Sequence, residues 1–146
     1  MARVRIVRGA GGLLPALFVA LLLTGCSEKP VWEVAYRASG SLSFKGKPVA
    51  NADIVLFPED STWPETVRPR ARTKEDGTFE VWTYEPGDGA PAGAYKVTLV
   101  HTEVGFSKGA VVAKPNDLPA KYERAESTDV RVTINPGENQ LPAISL

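Results

Sequence analysis

At 146 residues the chain is sized for one ordinary domain, and its 17 Lys+Arg balance 17 Asp+Glu. No basic stripe stands out in the sequence, which excludes nucleic acid as an expected partner. One cysteine rules out a disulfide within the chain, and one histidine rules out metal centres built on several histidines. The 13 Gly and 12 Pro, spread among short apolar segments, predict many turns and no long helix.

The first 25 residues have the three parts of an export signal. Arg3, Arg5 and Arg8 form a basic start without an acid, Leu13 to Leu23 is an apolar run, and Thr24-Gly25 are small. The run is shorter than the ~20 residues that cross a bilayer as a helix. Leu23-Thr24-Gly25-Cys26 resembles the lipobox of bacterial lipoprotein precursors. The resemblance implies cleavage after Gly25, lipidation of Cys26, and anchoring of the mature chain in the cell envelope. Two or three acyl chains hold firmly where one is marginal. The retention signal known in some bacteria places aspartate after the cysteine; Ser27 stands there instead, which points to the outer membrane or its periplasmic face. Loss of three arginines would leave 14 basic residues against 17 acidic ones, a mildly acidic mature chain. Residues 26–35 are expected to be the lipidated N-terminus and a tether, with Trp32 packing on the first strand.

From residue 36 onward the pattern is that of short strands. Ala38 to Phe44 alternates, with Ala38, Gly40, Leu42 and Phe44 on one face and three serines on the other, a half-buried strand. Lys45-Gly46-Lys47-Pro48 ends it with turn chemistry. Ala52 to Phe57 follows, with Ala52, Ile54 and Leu56 inward and Val55 and Phe57 facing a partner surface or a second layer. Arg70–Thr73 and Thr78–Thr83 flank Lys74-Glu75-Asp76-Gly77, and Asp-Gly between two strands predicts a hairpin. Phe79 and Val81 point one way along it, Glu80 and Trp82 the other. Gly93 to Leu99 places Tyr95, Val97 and Leu99 inward; a buried Tyr95 needs a partner for its hydroxyl. Val130, Val132 and Ile134 alternate with polar residues, Asn135 to Asn139 turns the chain, and Gln140 to Leu146 closes it. Pro142 lacks a ladder donor, so this last segment belongs at a sheet edge. About seven narrow strands bury their apolar faces best as two packed antiparallel sheets, an all-β sandwich.

Gly40, Gly46-Lys47-Pro48 and Ala52-Asp53-Ile54, then Thr73, Asp76-Gly77-Thr78-Phe79 and Pro91-Ala92-Gly93-Ala94-Tyr95-Lys96-Val97, together resemble the carboxypeptidase regulatory-like domain. The resemblance implies a transthyretin-like (prealbumin-like) sandwich over residues 36–146. The motif positions are turn glycines and core residues, so they specify a shape and carry no chemistry.

No catalytic, metal or cofactor site is expected. Zinc carboxypeptidases, isourate hydrolases and intradiol dioxygenases all need more histidines than His101, which reads as a solvated loop residue. Asp76-Gly77 and Asp88-Gly89 lack the alternating acids of a calcium loop and read as turns. The loops Pro58–Pro69, Tyr84–Pro91 and Thr102–Tyr122 are the remaining places for function, the last being the longest irregular stretch. Trp63, Trp82 and Tyr84 are the candidate ligand contacts, as an aromatic platform for a sugar or a protein. The competing expectation is that they cap the ends of the sandwich. Two functions follow. The first is a non-catalytic, membrane-anchored accessory module that contacts another envelope protein, with Val55, Phe57 or Trp82 exposed. On that expectation, alanine at Trp82 weakens partner capture without unfolding the domain. The alternative is a carbohydrate- or wall-binding domain with Trp63, Tyr84 and Phe106 on one rim.

Overall fold

The computed structural model describes residues 28–146; the segment read as an export signal and Cys26 lie outside the described residues. The strands, in chain order, are β1 (Ala35–Tyr36), β2 (Ala38–Phe44), β3 (Lys47–Pro48), β4 (Asp53–Pro58), β5 (Arg70–Arg72) and β6 (Thr78–Glu80). They continue with β7 (Ala90–Pro91), β8 (Gly93–Val100), β9 (Val104–Ser107), β10 (Ala110–Ala113), β11 (Arg131–Ile134), β12 (Asn139–Gln140) and β13 (Ile144–Ser145).

Two sheets make the sandwich. One has the order β11-β8-β4-β5 and is antiparallel throughout; the other is organised around β2, which pairs with β3, β6, β12 and β13. The core lies between them. Ile54, Leu56, Ala71, Tyr95, Val97, Leu99, Val132 and Ile134 from the first sheet meet Ala38, Leu42, Phe79, Leu141 and Ile144 from the second. The alternation in β2 and β4 puts every second side chain into this layer, as the sequence pattern requires. Tyr95 is fully buried and its hydroxyl donates to the Pro91 carbonyl at 2.7 Å, which satisfies the one polar atom that its burial would strand. Burial also pushes its phenol well above the ordinary tyrosine range.

Four features depart from the expected fold. The sandwich is not wholly antiparallel, because β12 and β13 run parallel to β2 on its outer side. Pro142 falls in the gap between them, where no ladder donor is needed. The hairpin expected around Asp76-Gly77 is a corner. Its turn forms, with Asp76 Oδ1 accepting from the Thr78 amide and hydroxyl and Gly77 at φ +77°. Its arms then part: β5 joins β4, β6 joins β2, and the two meet again only at the Arg70–Trp82 bridge.

The third departure is in Thr102–Tyr122, expected to be irregular, which contains the β9–β10 hairpin, closed by Lys108-Gly109 at φ 50° and 81°. Finally, order begins before residue 36. Val31–Glu33 form a single 3-10 turn, and β1 pairs with β7.

Candidate functional site

The three predicted contact aromatics do not form one platform. Trp63 is half-buried in the loop after β4, tilted against Trp32 at 6.4 Å and edge-on to Tyr95 at 6.1 Å. Tyr84 donates its hydroxyl to the Trp32 carbonyl, and desolvation, then Glu33 and Asp88, hold its phenol above the usual range. Trp63 thus ties Trp32 to Tyr95 near the start of β8, and Tyr84 ties the same segment to the loop after β6. Trp32 docks on Trp63. Trp82 lies apart, on the outer face of the other sheet edge. Phe106 sits past the far end of β8, a strand that alone spans about 25 Å, so Trp63, Tyr84 and Phe106 do not share a rim. The clamp has a testable consequence. In Trp63→Ala the amides of Val34–Tyr36 should exchange with solvent about tenfold faster or more, read by hydrogen-exchange mass spectrometry, while those of β4 and β8 keep their protection.

The opposite end of the sandwich is open. A cleft of about 880 Å³ lies there between the β2–β3 turn and the root of the β9–β10 hairpin, lined among others by Phe44, Lys45, Lys47, His101, Val104 and Asp117. His101 is not a solvated loop residue. Its side chain is 14% exposed, its Nδ1 is 2.7 Å from Asp117 Oδ1, and its amide donates to Asn116 Oδ1. The chain returning from the hairpin thus seals it in place. Beyond the cleft, cross-strand register puts Val104, Phe106, Val111 and Ala113 on one face of the hairpin. Phe106 is 83% exposed and Val104 74%.

The expected turns are turns. Asp88 accepts from the amides of Thr83, Tyr84 and Glu85, which occupies its carboxylate within its own loop. Asn139 is buried and ties Asn135, Gly137 and Arg37 through both ends of its amide. Among the described residues no group of three or more His, Cys, Asp or Glu is placed to hold a metal ion.

The outer face of the β11-β8-β4-β5 sheet carries a feature not anticipated from composition. Register builds it in rows: Arg131, Lys96 and Phe57 in one, Thr98, Val55, Arg70 and Trp82 in the next, Asp53 and Arg72 in the third. Arg68 covers the Phe57 ring at 4.9 Å, and Arg70 covers Trp82 at 4.0 Å. Val55 and Phe57 are half-buried beneath this layer, so they do not form an exposed apolar patch. The signal was present as Arg68-Pro69-Arg70-Ala71-Arg72: three arginines two residues apart fall on one face of an extended chain.

No family model matches the chain, and no curated protein matches it. Among solved structures, it is similar to a 9R-lipoxygenase from Cyanothece PCC8801, with TM-score 0.40 and 18% identity over 81% of this chain and 17% of that one. It is similar also to a proposed carbohydrate-binding protein from Pseudomonas aeruginosa, with TM-score 0.44 and 13% identity over 77% of this chain and 88% of that one. A third likeness is to a DUF3823 family protein from Parabacteroides merdae, with TM-score 0.39 and 13% identity over 73% of this chain and 44% of that one. The chain thus spans about a sixth of the lipoxygenase and under half of the DUF3823 protein.

Proposed function

We propose that this chain is a lipid-anchored, non-catalytic accessory module of the cell envelope, of the carboxypeptidase regulatory-like kind, that contacts another envelope protein through the end remote from its anchor. The observation that carries the proposal is the difference between the two ends. At the N-terminal end Trp32, Trp63 and Tyr84 close the sandwich around the segment that leads back to Cys26. At the other end an open cleft adjoins a hairpin whose Phe106, Val104 and Val111 are largely exposed. Exposed apolar residues joined on one face mark a contact surface. A non-catalytic role is supported by the chemistry available: the single histidine is committed to Asp117, and the acids singled out in turns are committed to backbone amides.

A glycan is the second candidate ligand, and the cleft rather than the aromatic trio favours it. Phe44 offers an apolar wall there, while Asn51 and Asp117 offer groups that sugar hydroxyls bond.

Anchoring and contact are tested together by crosslinking in cells and capture of the C-terminally tagged protein. Cys26→Ser should move the protein from the membrane fraction to the soluble one and abolish capture of its partner. Phe106→Ser should leave fractionation unchanged and lose the partner. Unchanged fractionation of Cys26→Ser would remove the anchor from the proposal. Unchanged capture by Phe106→Ser would remove the hairpin, and co-recovery of glycan without protein would favour the second candidate.

A further inference from the structure

We infer that the arginine-lined outer face of the β11-β8-β4-β5 sheet is a binding site for a linear acidic polysaccharide, a glycan carrying carboxylates or phosphates along its length. This goes beyond the contact proposed for the far end. It rests on the envelope reading only where a glycan is preferred to a nucleic acid.

The cations on this face are not consumed within the protein. Arg131 pairs with Glu59 at 2.8 Å and Arg72 with Asp53 at 3.5 Å, both at the margins. Among the described residues Arg68, Arg70 and Lys96 have no carboxylate within ion-pair distance. Three such cations together are notable in a domain whose acids outnumber its bases.

The way the arginines are held also matters. A guanidinium held over an aromatic ring by cation–π attraction keeps donors free around its edge. Arg70 on Trp82 and Arg68 on Phe57 are held in this way; Arg68 spends one donor on the Val67 carbonyl at 3.0 Å. Such forks suit carboxylate and phosphate oxygens, which accept two parallel hydrogen bonds.

Shape selects a line of charge over a plane. Arg68, Arg70 and Arg72 recur about every 7 Å along the extended chain, and Lys96 lies two strands, about 10 Å, across from that edge. Acids border the strip: Asp53, paired with Arg72, and Glu59, paired with Arg131, are both exposed at its margins. A flat anionic membrane would meet those acids together with the arginines. The aromatic rings lie under the guanidiniums, so none projects to enter a headgroup layer. A single flexible chain of anions can follow the cations and avoid the acids.

The test uses the full-length lipidated protein in neutral detergent, with polygalacturonate as the acidic glycan and dextran as the neutral one. The protein should bind polygalacturonate and not dextran, and should release as salt rises from about 50 to 200 mM. Arg68→Ser/Arg70→Ser/Lys96→Ser should weaken binding about tenfold or more, while the charge-matched Lys29→Ser/Arg37→Ser/Arg124→Ser, at exposed positions away from this face, stays within about twofold. Lys96→Ser alone, which uncovers no ring, should still cost about threefold if loss of the cation–π contacts unfolds the triple variant. Equal losses in the two triple variants would reduce the effect to net charge and overturn the site. Failure of the wild type to bind would also overturn it, as would tighter binding to single-stranded DNA or to phosphatidylglycerol vesicles. None of these results bears on Cys26, whose fractionation is read separately.

Discussion

Gly89→Ala is expected to destabilise the domain by more than about 3 kcal/mol, placing it among the severe single substitutions. Gly89 has φ +94°, where an L side chain is strained. A methyl group there would stand 1.8 Å from the Tyr36 carbonyl oxygen and 2.3 Å from its carbon. Those are backbone atoms of β1, held by the β1–β7 pairing, so they cannot turn aside as a side chain would. The same residue donates its amide to the Val81 carbonyl and accepts from the Thr83 hydroxyl. Any shift that relieves the clash therefore pulls on the 81–83 segment as well. Gly87→Ala provides the internal control. It too has positive φ, +77°, but nothing lies within 4 Å of its missing Cβ. It should cost only the backbone term, about 1–2 kcal/mol. Thermal melts of the two variants separate conformational strain from contact. Similar losses in both would mean that the β1–β7 junction yields more readily than its hydrogen bonds imply.

The strands most legible in the sequence were those whose periodicity and burial agree. Ala38 to Phe44 and Gly93 to Leu99 alternate, and the structure buries Leu42, Tyr95, Val97 and Leu99 as that alternation demands. What failed was pairing. The Asp76-Gly77 turn was readable because turn chemistry is local, but nothing local decides that β5 and β6 join different sheets. The parallel docking of β12 and β13 on β2 joins residues about a hundred positions apart and has no local signature. The β9–β10 hairpin has a local signature, Lys108-Gly109 between Phe106 and Val111 as a two-residue turn of the kind glycine permits, but the length around it has the composition of a loop.

The candidate sites divide in the same way. Of the three predicted aromatics, Trp63 and Tyr84 meet Trp32, a residue assigned to the tether, and only the fold brings them together. The three alternating arginines could be counted from sequence. That Lys96 and Arg131 extend them across two more strands follows from register, which composition cannot supply.

The second large effect concerns Phe79, and it explains a glycine whose backbone is unremarkable. Phe79 is 1% exposed, and Gly40 lies directly opposite it in the β2–β6 pair. A Cβ on Gly40 would stand 2.6 Å from Phe79 Cζ and 3.2 Å from both Cε atoms. The phenyl ring thus lies over the glycine and occupies the volume where the opposing side chain would be. Phe79→Ala should cost about 3–5 kcal/mol, because it empties a site at the centre of the core that the two sheets cannot close. Gly40→Ala should also destabilise, here by overpacking, at about 1–3 kcal/mol. The two losses are not independent. Once Phe79 is shortened to leucine the ring tip is gone, and the methyl at position 40 fills part of the space it leaves. Gly40→Ala/Phe79→Leu should therefore be more stable than the sum of its single variants predicts, by about 1 kcal/mol or more, in chemical denaturation. Strict additivity would mean that the ring tip swings clear of the new methyl. Gly40 would then owe its place to something other than the close approach of β2 and β6.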